Sequence, residues 1–195
     1  MNVSRLKPAL LLAGFAMFGV MAGMLITFVS PSAAPSLPVA GTPTTRILRV
    51  EQPAPNFVLE TLDGAQQISL SSLKGRRVLI NFWASWCTPC IRETPDLVQA
   101  YAALRQSGNT DIEFLGIATK DELGAARAFA EANNVNYPVL FDKSGFISET
   151  YWAFGLPTTV FVDATGNVFK THIGLITSDD VVAQFASMRK IPAPK

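Results

Sequence analysis

Two hydrophobic patterns alternate along most of the chain after residue 47. The run RVLINFWAS at residues 77–85 is continuously apolar and has the length of a strand covered on both faces. Four further strands are predicted by shorter apolar segments, namely IEFLGIAT at 112–119, YPVLFD at 137–142, TTVFVD at 158–163 and VFKTHIG at 168–174. The segment NFVLETLDGAQQISL predicts a hairpin that turns at Asp63-Gly64, a dipeptide suited to a tight two-residue turn.

Three other segments have features of helices. Apolar residues at steps of three and four predict a helix over residues 88–106. Residues 121–134 predict an amphipathic helix with acids in its first turn, and Ser178 is a candidate cap for a final helix that ends near Lys190. Strands that alternate with helices and end in a hairpin predict an α/β fold with a mixed sheet between helices.

The N-terminal segment has neither pattern. After Arg5 and Lys7, residues 8–29 carry no charge and would span about 33 Å as a helix, close to the roughly 30 Å hydrocarbon core of a bilayer. A secretory signal has a shorter apolar region, although residues 32–34 offer a small-residue cleavage site, so cleavage stays an alternative. The length favours an uncleaved transmembrane anchor.

These segments predict the domain organisation. The positive flank, residues 1–7, is expected in the cytoplasm, which places everything after the anchor at residues 8–29 on the extracytoplasmic, periplasmic side. Residues 30–46 contain four prolines among small residues and predict an extended linker. Residues 47–195 then form the globular domain.

Composition narrows the classes of partner. The chain has 195 residues, 49% of them hydrophobic, with 16 basic and 15 acidic side chains. This length suits one domain with attachments, and the balanced charge without any block of like charges argues against a nucleic-acid partner. Small molecules and other proteins remain as candidate partners.

Both cysteines of the chain lie in the segment WCTPC, directly after the first buried strand. A zinc site needs four ligands, and the chain has only two cysteines and one histidine, His172. A structural disulfide gains little by closing so short a loop. A redox pair remains, because a strand that ends near Ser85 places Cys87 at the start of a helix, where free N–H groups and the helix dipole stabilise a thiolate.

The expected geometry makes the two thiols unequal. Pro89 is compatible with a first helical turn, since its missing N–H would have had no partner there. We expect Cys87 to be exposed and Cys90, one turn further on, to be shielded. Cys87 would attack a substrate disulfide, and Cys90 would resolve the mixed disulfide. Glu93, three residues after Cys90, is either a buried proton acceptor for that thiol or a solvated first-turn acid, and the residues alone favour neither interpretation.

The segments APNFVLETLDGAQQISLSSLKGRRVLINFWASWCTPCIRETPDL and GLPTTVFVDATGNV resemble the membrane-anchored thioredoxin-like proteins of the TlpA, ResA and CcmG type. The resemblance covers about residues 51–190. It implies a thioredoxin-like fold with an N-terminal hairpin and a thiol:disulfide oxidoreductase activity without a bound cofactor or metal.

The resemblance also implies roles for individual residues. Cys87 is the nucleophile, Cys90 the resolving thiol and Glu93 the buried active-site acid. Cytosolic thioredoxin is similar here but has a buried aspartate where this chain has Asn81. An asparagine side chain cannot accept a proton in that role, so the resemblance implies that Glu93 replaces the aspartate.

Further positions are implied to contact substrate. Pro157 follows a cis peptide bond in these folds and faces the cysteine pair. Leu156 offers its backbone to an extended substrate segment. Trp86 contributes to a docking surface, and Thr88 and Pro89 lie between the cysteines.

The implied function is the reduction of protein disulfides outside the cytoplasmic membrane, in apocytochrome c or in copper-site cysteines, with electrons from a membrane thiol transporter. Two alternatives stay open. A copper-binding module would use both thiolates and His172, although known carriers have a longer gap between the cysteines. A peroxiredoxin-type peroxidase would need a threonine three residues before the peroxidatic cysteine, where this chain has Ala84.

Overall fold

The computed structural model describes residues 51–188, which contain seven strands and four α-helices. The strands are β1 (Val58–Glu60), β2 (Gln67–Ser69), β3 (Arg77–Trp83), β4 (Ile112–Thr119), β5 (Val139–Asp142), β6 (Thr158–Val162) and β7 (Val168–Ile173). The helices are α1 (Thr88–Gln106), α2 (Leu123–Ala132), α3 (Phe146–Thr150) and α4 (Ser178–Met188). A 3-10 helix over Leu70–Leu73 connects the hairpin to β3.

Five strands form one mixed sheet in the order β5-β4-β3-β6-β7. The central strand β3 is parallel to β4 and antiparallel to β6, and all seven of its residues are buried. The predicted mixed sheet and its continuously apolar central strand are therefore confirmed. The strands β1 and β2 form a separate two-stranded antiparallel sheet.

Side chains alternate between the two faces of β3, and the helices use this alternation. Leu79 packs in a cluster with Leu97 of α1 and Phe185 of α4, so these helices cover its face of the sheet. The neighbours Val78, Ile80 and Phe82 point to the other face and belong to a second cluster. This cluster also contains Tyr151 and three residues of the N-terminal region, Phe57, Leu59 and Ile68. Asn81 lies two residues after Leu79, so its side chain is on the same face of β3 and points toward α1.

Most predicted elements are confirmed, and α1 and β4 begin and end at the predicted residues. The hairpin turn is longer than predicted, because residues 61–66 separate its strands. The Asp63 carboxylate accepts hydrogen bonds from the Thr61 hydroxyl and the Ala65 N–H, and Gly64 adopts a φ of 73°. These contacts stabilise a wider loop than two residues allow.

Two helices differ from the prediction. The helix α2 begins at Leu123, so Asp121 and Glu122 precede it and do not occupy its first turn. The five-residue helix α3 was not predicted, because so short a segment shows no helical period. Residues 189 and 190, at the predicted end of α4, lie outside the described residues.

The predicted cytoplasmic N-terminus, anchor and linker, residues 1–46, also lie outside the described residues. Within residues 51–188, no helix has the length and apolar character required to cross a membrane.

Candidate active site

Cys87 and Cys90 form a disulfide at the N-terminus of α1, with an S–S distance of 2.08 Å and a Cα–Cα distance of 5.3 Å. Cys87 is the N-cap of the helix, and its Sγ accepts a hydrogen bond from the Cys90 N–H at 3.2 Å. Pro89 lies in the first turn, as predicted. The free N–H groups and the dipole of α1 are therefore available to a sulfur that carries negative charge.

The two cysteines differ less in exposure than the sequence suggested. Cys87 is 5% exposed and Cys90 1%, so the expectation of an exposed Cys87 was wrong for this oxidised state, although the order is the predicted one. Both sulfurs belong to an apolar cluster with Trp83, Ala84 and Phe129, and Leu156 packs against that cluster.

The connection from β3 to α1 is held by a carboxylate from another part of the chain. Asp121, which follows β4, accepts hydrogen bonds from the Ser85 N–H at 2.6 Å, the Ser85 hydroxyl at 2.9 Å and the Glu122 N–H at 2.8 Å. Asp121 is 7% exposed. Ser85 lies two residues before Cys87, so these hydrogen bonds connect the backbone next to the disulfide with the end of the neighbouring strand β4.

Glu93 lies one helical turn after Cys90 and is 2% exposed, so the interpretation as a solvated first-turn acid is wrong. Its Oε1 accepts a hydrogen bond from Asn81 Nδ2 at 2.7 Å, and its Oε2 accepts one from the Ile176 N–H at 3.0 Å. Asn81 reaches Glu93 because the alternation of β3 directs its side chain toward α1.

Burial raises the pKa of Glu93 from its ordinary value of 4.5 to about 7. The hydrogen bonds from Ile176 and Asn81 act in the opposite direction, and the nearby charge of Asp96 adds a smaller upward contribution. The loss of solvation on burial is the largest of these effects on the pKa. The carboxyl can therefore accept or release a proton near neutral pH.

The residues implied to contact substrate lie around the disulfide. The Leu156–Pro157 peptide bond is cis, as the resemblance implied, and Pro157 is buried while Leu156 is half-buried. Trp86 is 64% exposed, and its Nε1 donates a hydrogen bond to the Lys120 carbonyl oxygen at 3.3 Å. Thr88 is exposed and Pro89 half-buried.

Several contacts of the site did not emerge from the sequence. Asn81, Thr159 and His172 form one row across β3, β6 and β7, because Asn81 pairs with Thr159 and Thr159 pairs with His172. Asn81 Nδ2 also donates to the Thr159 hydroxyl at 3.0 Å. The one local signal of this row was Asn81, a polar residue inside an otherwise apolar strand. Its partners Thr159 and His172 lie on distant strands, and the sequence around each of them does not indicate this pairing.

The described residues do not form the side-chain arrangements that the two alternative functions, copper binding and peroxide reduction, would use. His172 Nε2 is engaged with the Leu175 carbonyl oxygen at 2.8 Å. Among residues 51–188, no three side chains of the histidine, cysteine, aspartate and glutamate types gather in a way that could hold a metal ion. The side chain three residues before Cys87 is the buried methyl group of Ala84, which supplies no hydroxyl for a peroxide.

The two cysteines of the disulfide are separated by two residues and lie at the start of a helix on a mixed sheet, beside the cis-proline loop of Leu156. These features define a thioredoxin-like thiol:disulfide oxidoreductase. The chain belongs to the AhpC/TSA family, whose sequence profile matches residues 50–171.

Similar proteins agree with this class. The chain is 30% identical over 144 residues to the thiol-disulfide oxidoreductase ResA of Halalkalibacterium halodurans, covering 74% of this chain and 79% of that protein. It is 36% identical over 124 residues to ResA of Bacillus subtilis, covering 64% and 67%. A secreted Mycobacterium tuberculosis disulfide oxidoreductase homologous to E. coli DsbE superposes with a TM-score of 0.60 at 30% identity, covering 67% of this chain and 95% of that one. The chain is thus a thiol:disulfide oxidoreductase.

Proposed function

We propose that this oxidoreductase reduces disulfides of protein substrates on the extracytoplasmic side of the cytoplasmic membrane. The observation that carries the proposal is the buried Glu93 carboxyl, one helical turn from Cys90 and with a pKa of about 7. A buried proton acceptor beside the more shielded cysteine suits a reductant, because that thiol must lose its proton before it can attack.

The reaction begins with the reduced chain, in which Cys87 is a thiolate stabilised by the N-terminus of α1. Cys87 Sγ attacks one sulfur of the substrate disulfide, that S–S bond breaks, and the other substrate sulfur leaves as a thiolate that takes up a proton. A mixed disulfide now joins Cys87 to the substrate.

Glu93 acts in the second step. It accepts the proton of the Cys90 thiol, and Cys90 Sγ then attacks Cys87 Sγ. The mixed disulfide breaks, the second substrate sulfur leaves and is protonated, and the Cys87–Cys90 disulfide forms. Two electrons pass from the chain to the substrate, which ends with two thiols. The raised pKa of Glu93 brings its proton affinity into the range that such a transfer needs at neutral pH.

Substrate recognition follows the residues around the disulfide. The half-buried Leu156 offers its backbone groups to an extended substrate segment, next to the cis-proline Pro157. The exposed indole of Trp86 supplies a flat apolar contact area beside Cys87, and Thr88 and Pro89 directly follow this attacking cysteine. An extended segment of a protein that is not yet folded fits this arrangement.

The location and the partners rest on the N-terminal sequence and on the family resemblance. The charge-free run at residues 8–29 supports a single-pass anchor with residues 1–7 inside the cell. The linker at residues 30–46 would let the domain reach substrates near the membrane. Apocytochrome c and copper-site cysteines are the proposed substrates, and a membrane thiol transporter is the proposed electron donor.

The first experiment measures the reduction potential of the Cys87/Cys90 couple in the purified full-length chain, equilibrated with glutathione or dithiothreitol buffers. We expect a value near or below about −220 mV, in the range of glutaredoxins and thioredoxin. A value near about −120 mV, as in the oxidant DsbA, would contradict the proposal and make the chain a disulfide donor.

The location is tested with fusions of alkaline phosphatase, which is active only outside the cytoplasm. Fusions after residue 46 should be active, and fusions after residue 7 should not. Activity in neither fusion, with the protein found in the soluble cytoplasmic fraction, would contradict the proposed location while leaving the chemistry intact.

A further inference from the structure

The loop that follows β7 connects Glu93 to a side chain that the proposed mechanism does not use. The Ile176 N–H donates to Glu93 Oε2 at 3.0 Å, and the carbonyl oxygen of Leu175 lies 2.8 Å from His172 Nε2. This carbonyl and this N–H belong to one planar peptide group, because a peptide unit joins the C=O of one residue to the N–H of the next. One peptide group therefore hydrogen-bonds to both side chains.

The chemistry of the partners determines the direction of these hydrogen bonds. A carbonyl oxygen can only accept, so His172 Nε2 must carry a hydrogen and donate it. In the neutral ring, Nδ1 is then the nitrogen that carries no hydrogen. When Nδ1 is protonated, the donor at Nε2 becomes charge-assisted and the hydrogen bond to Leu175 strengthens.

The sheet holds His172 in this position. Its register pairs it with Thr159, which pairs with Asn81, so the three residues share one face of the sheet. Asn81 donates to one carboxylate oxygen of Glu93, and the Leu175–Ile176 peptide donates to the other. The two ends of the row thus converge on the same carboxyl group.

We infer that His172 is a positioning residue that tunes the proton affinity of Glu93 through the Leu175–Ile176 peptide group. The inference rests on the proposed role of Glu93 as proton acceptor. Hydrogen bonds in a chain polarise one another, so donation by His172 strengthens donation by the Ile176 N–H. A stronger donor at Oε2 favours the ionised form of Glu93, and a protonated His172 does so most.

Other titratable groups near the two ends contribute to the same balance. Near Glu93 these are Cys90 on the same helix, Asp96 one turn further along α1 and the buried Tyr137 ahead of β5. Near His172 they are Asp180 of α4, with Lys170 of β7 also close to that carboxylate.

The test follows the rate of insulin disulfide reduction by the full-length chain from pH 5 to pH 9. His172→Leu removes the donor, and His172→Gln keeps an N–H donor that cannot be charged. In wild type we expect an inflection near pH 7, where Glu93 titrates. In His172→Leu it should move up by roughly a few tenths of a pH unit, because polarisation by His172 changes the strength of the Ile176 hydrogen bond to the ionised carboxylate by only about 10–30%. His172→Gln should give a smaller shift.

Ile173→Ala is the matched control, because Ile173 follows His172 on β7 and is 65% exposed. It should change the height of the profile at most, and leave the inflection in place. Urea unfolding of each variant at pH 7 separates a loss of stability from a shift in titration, since a purely structural role for His172 would lower stability without moving the inflection.

Glu93→Gln distinguishes a failure of this inference from a failure of the proposed function. If Glu93→Gln abolishes the inflection and His172→Leu leaves it unmoved, the inference is wrong and the proposed role of Glu93 stands. If the inflection survives in Glu93→Gln, the proposed role of Glu93 is wrong and the inference falls with it. In the double variant with Glu93→Gln, His172→Leu should have no further effect on the pH profile.

Discussion

At Glu93, burial and hydrogen bonding act on one carboxyl in opposite directions. A fully ionised carboxylate at 2% exposure would be costly, while two donated hydrogen bonds keep the charged form accessible. Desolvation is the larger effect, so the pKa rises. The two hydrogen bonds limit the rise, and the pKa of Glu93 is about 7. A group with this balance is suited to exchange protons with a thiol.

This balance predicts how stability depends on pH. The pKa of Glu93 is about 7 in the folded chain and near 4.5 in the unfolded chain. Between these values the folded state holds the extra proton, so the contribution of Glu93 is fully present below pH 4.5 and is lost as the pH rises through 7. We expect the free energy of unfolding of the oxidised chain to fall by about 3 kcal/mol over this window from this group.

Glu93→Gln should remove this pH dependence, because glutamine resembles the protonated acid and does not ionise. The measurement is urea unfolding at several values from pH 4 to pH 8. Glu131→Gln makes the same change at an exposed position of α2 and should keep the wild-type slope. An unchanged slope in Glu93→Gln would show that Glu93 does not retain its proton in the folded state.

At the scale of elements, the connection between β3 and α1 decides where the cysteines lie. The strand supplies the buried platform and the helix supplies the N-terminal N–H groups, but the connection is held in place by the two hydrogen bonds that Ser85 donates to Asp121. The Glu122 N–H donates to the same carboxylate and fixes its orientation. Asp121 follows the parallel neighbour β4, so the end of one strand orders the loop after the other. This arrangement couples the geometry of the site to the pairing of β3 with β4.

We expect Asp121→Asn to lower the free energy of unfolding by about 1–3 kcal/mol. An asparagine has one acceptor oxygen, so in either orientation its NH₂ group faces the N–H of Ser85 or of Glu122 and leaves that partly buried hydrogen bond unmade. Ser85→Ala removes only the hydroxyl and should cost less than about 1 kcal/mol. Equal losses in the two variants, measured by urea unfolding, would argue against this role of the carboxylate.

At the scale of the whole described region, the N-terminal region that contains the hairpin is joined to the rest of the fold by a few specific contacts. The Tyr151 hydroxyl donates to the Pro55 carbonyl oxygen at 2.5 Å, and the Leu62 N–H donates to the Val139 carbonyl oxygen at 2.9 Å. The ring of Tyr151 also packs on Phe57 and Phe82. The hairpin region thereby covers the face of the sheet opposite to α1.

Tyr151→Phe keeps this packing and removes the hydroxyl, which leaves the half-buried Pro55 carbonyl without that donor. We expect a loss of about 1–2 kcal/mol in the free energy of unfolding, measured by urea titration. Tyr101→Phe is the control, because the Tyr101 hydroxyl donates to Glu113 in a more accessible position and should cost less. A loss no larger in Tyr151→Phe than in this control would contradict the proposed attachment.

Much of the fold followed from local pattern. The central strand is buried on both faces and shows it as an unbroken apolar run, and α1 carries its own period, its early proline and its apolar face. The position of Cys87 at the start of that helix follows from the same local signals. The short helix α3 and the wide hairpin loop did not follow, because short segments and side-chain contacts within loops leave no period in the sequence.

The sequence by itself determined the order of the strands and of the three longer helices, the pair of cysteines at a helix start and the candidate acid one turn later. Tertiary structure alone decided whether that acid is buried, because burial depends on what β3, β6 and the loop after β7 place around it. Glu93 has the same neighbours along the chain in either case. Its desolvation and its hydrogen bonds come from Asn81 and Ile176, twelve and eighty-three residues away, which only the folded sheet brings together.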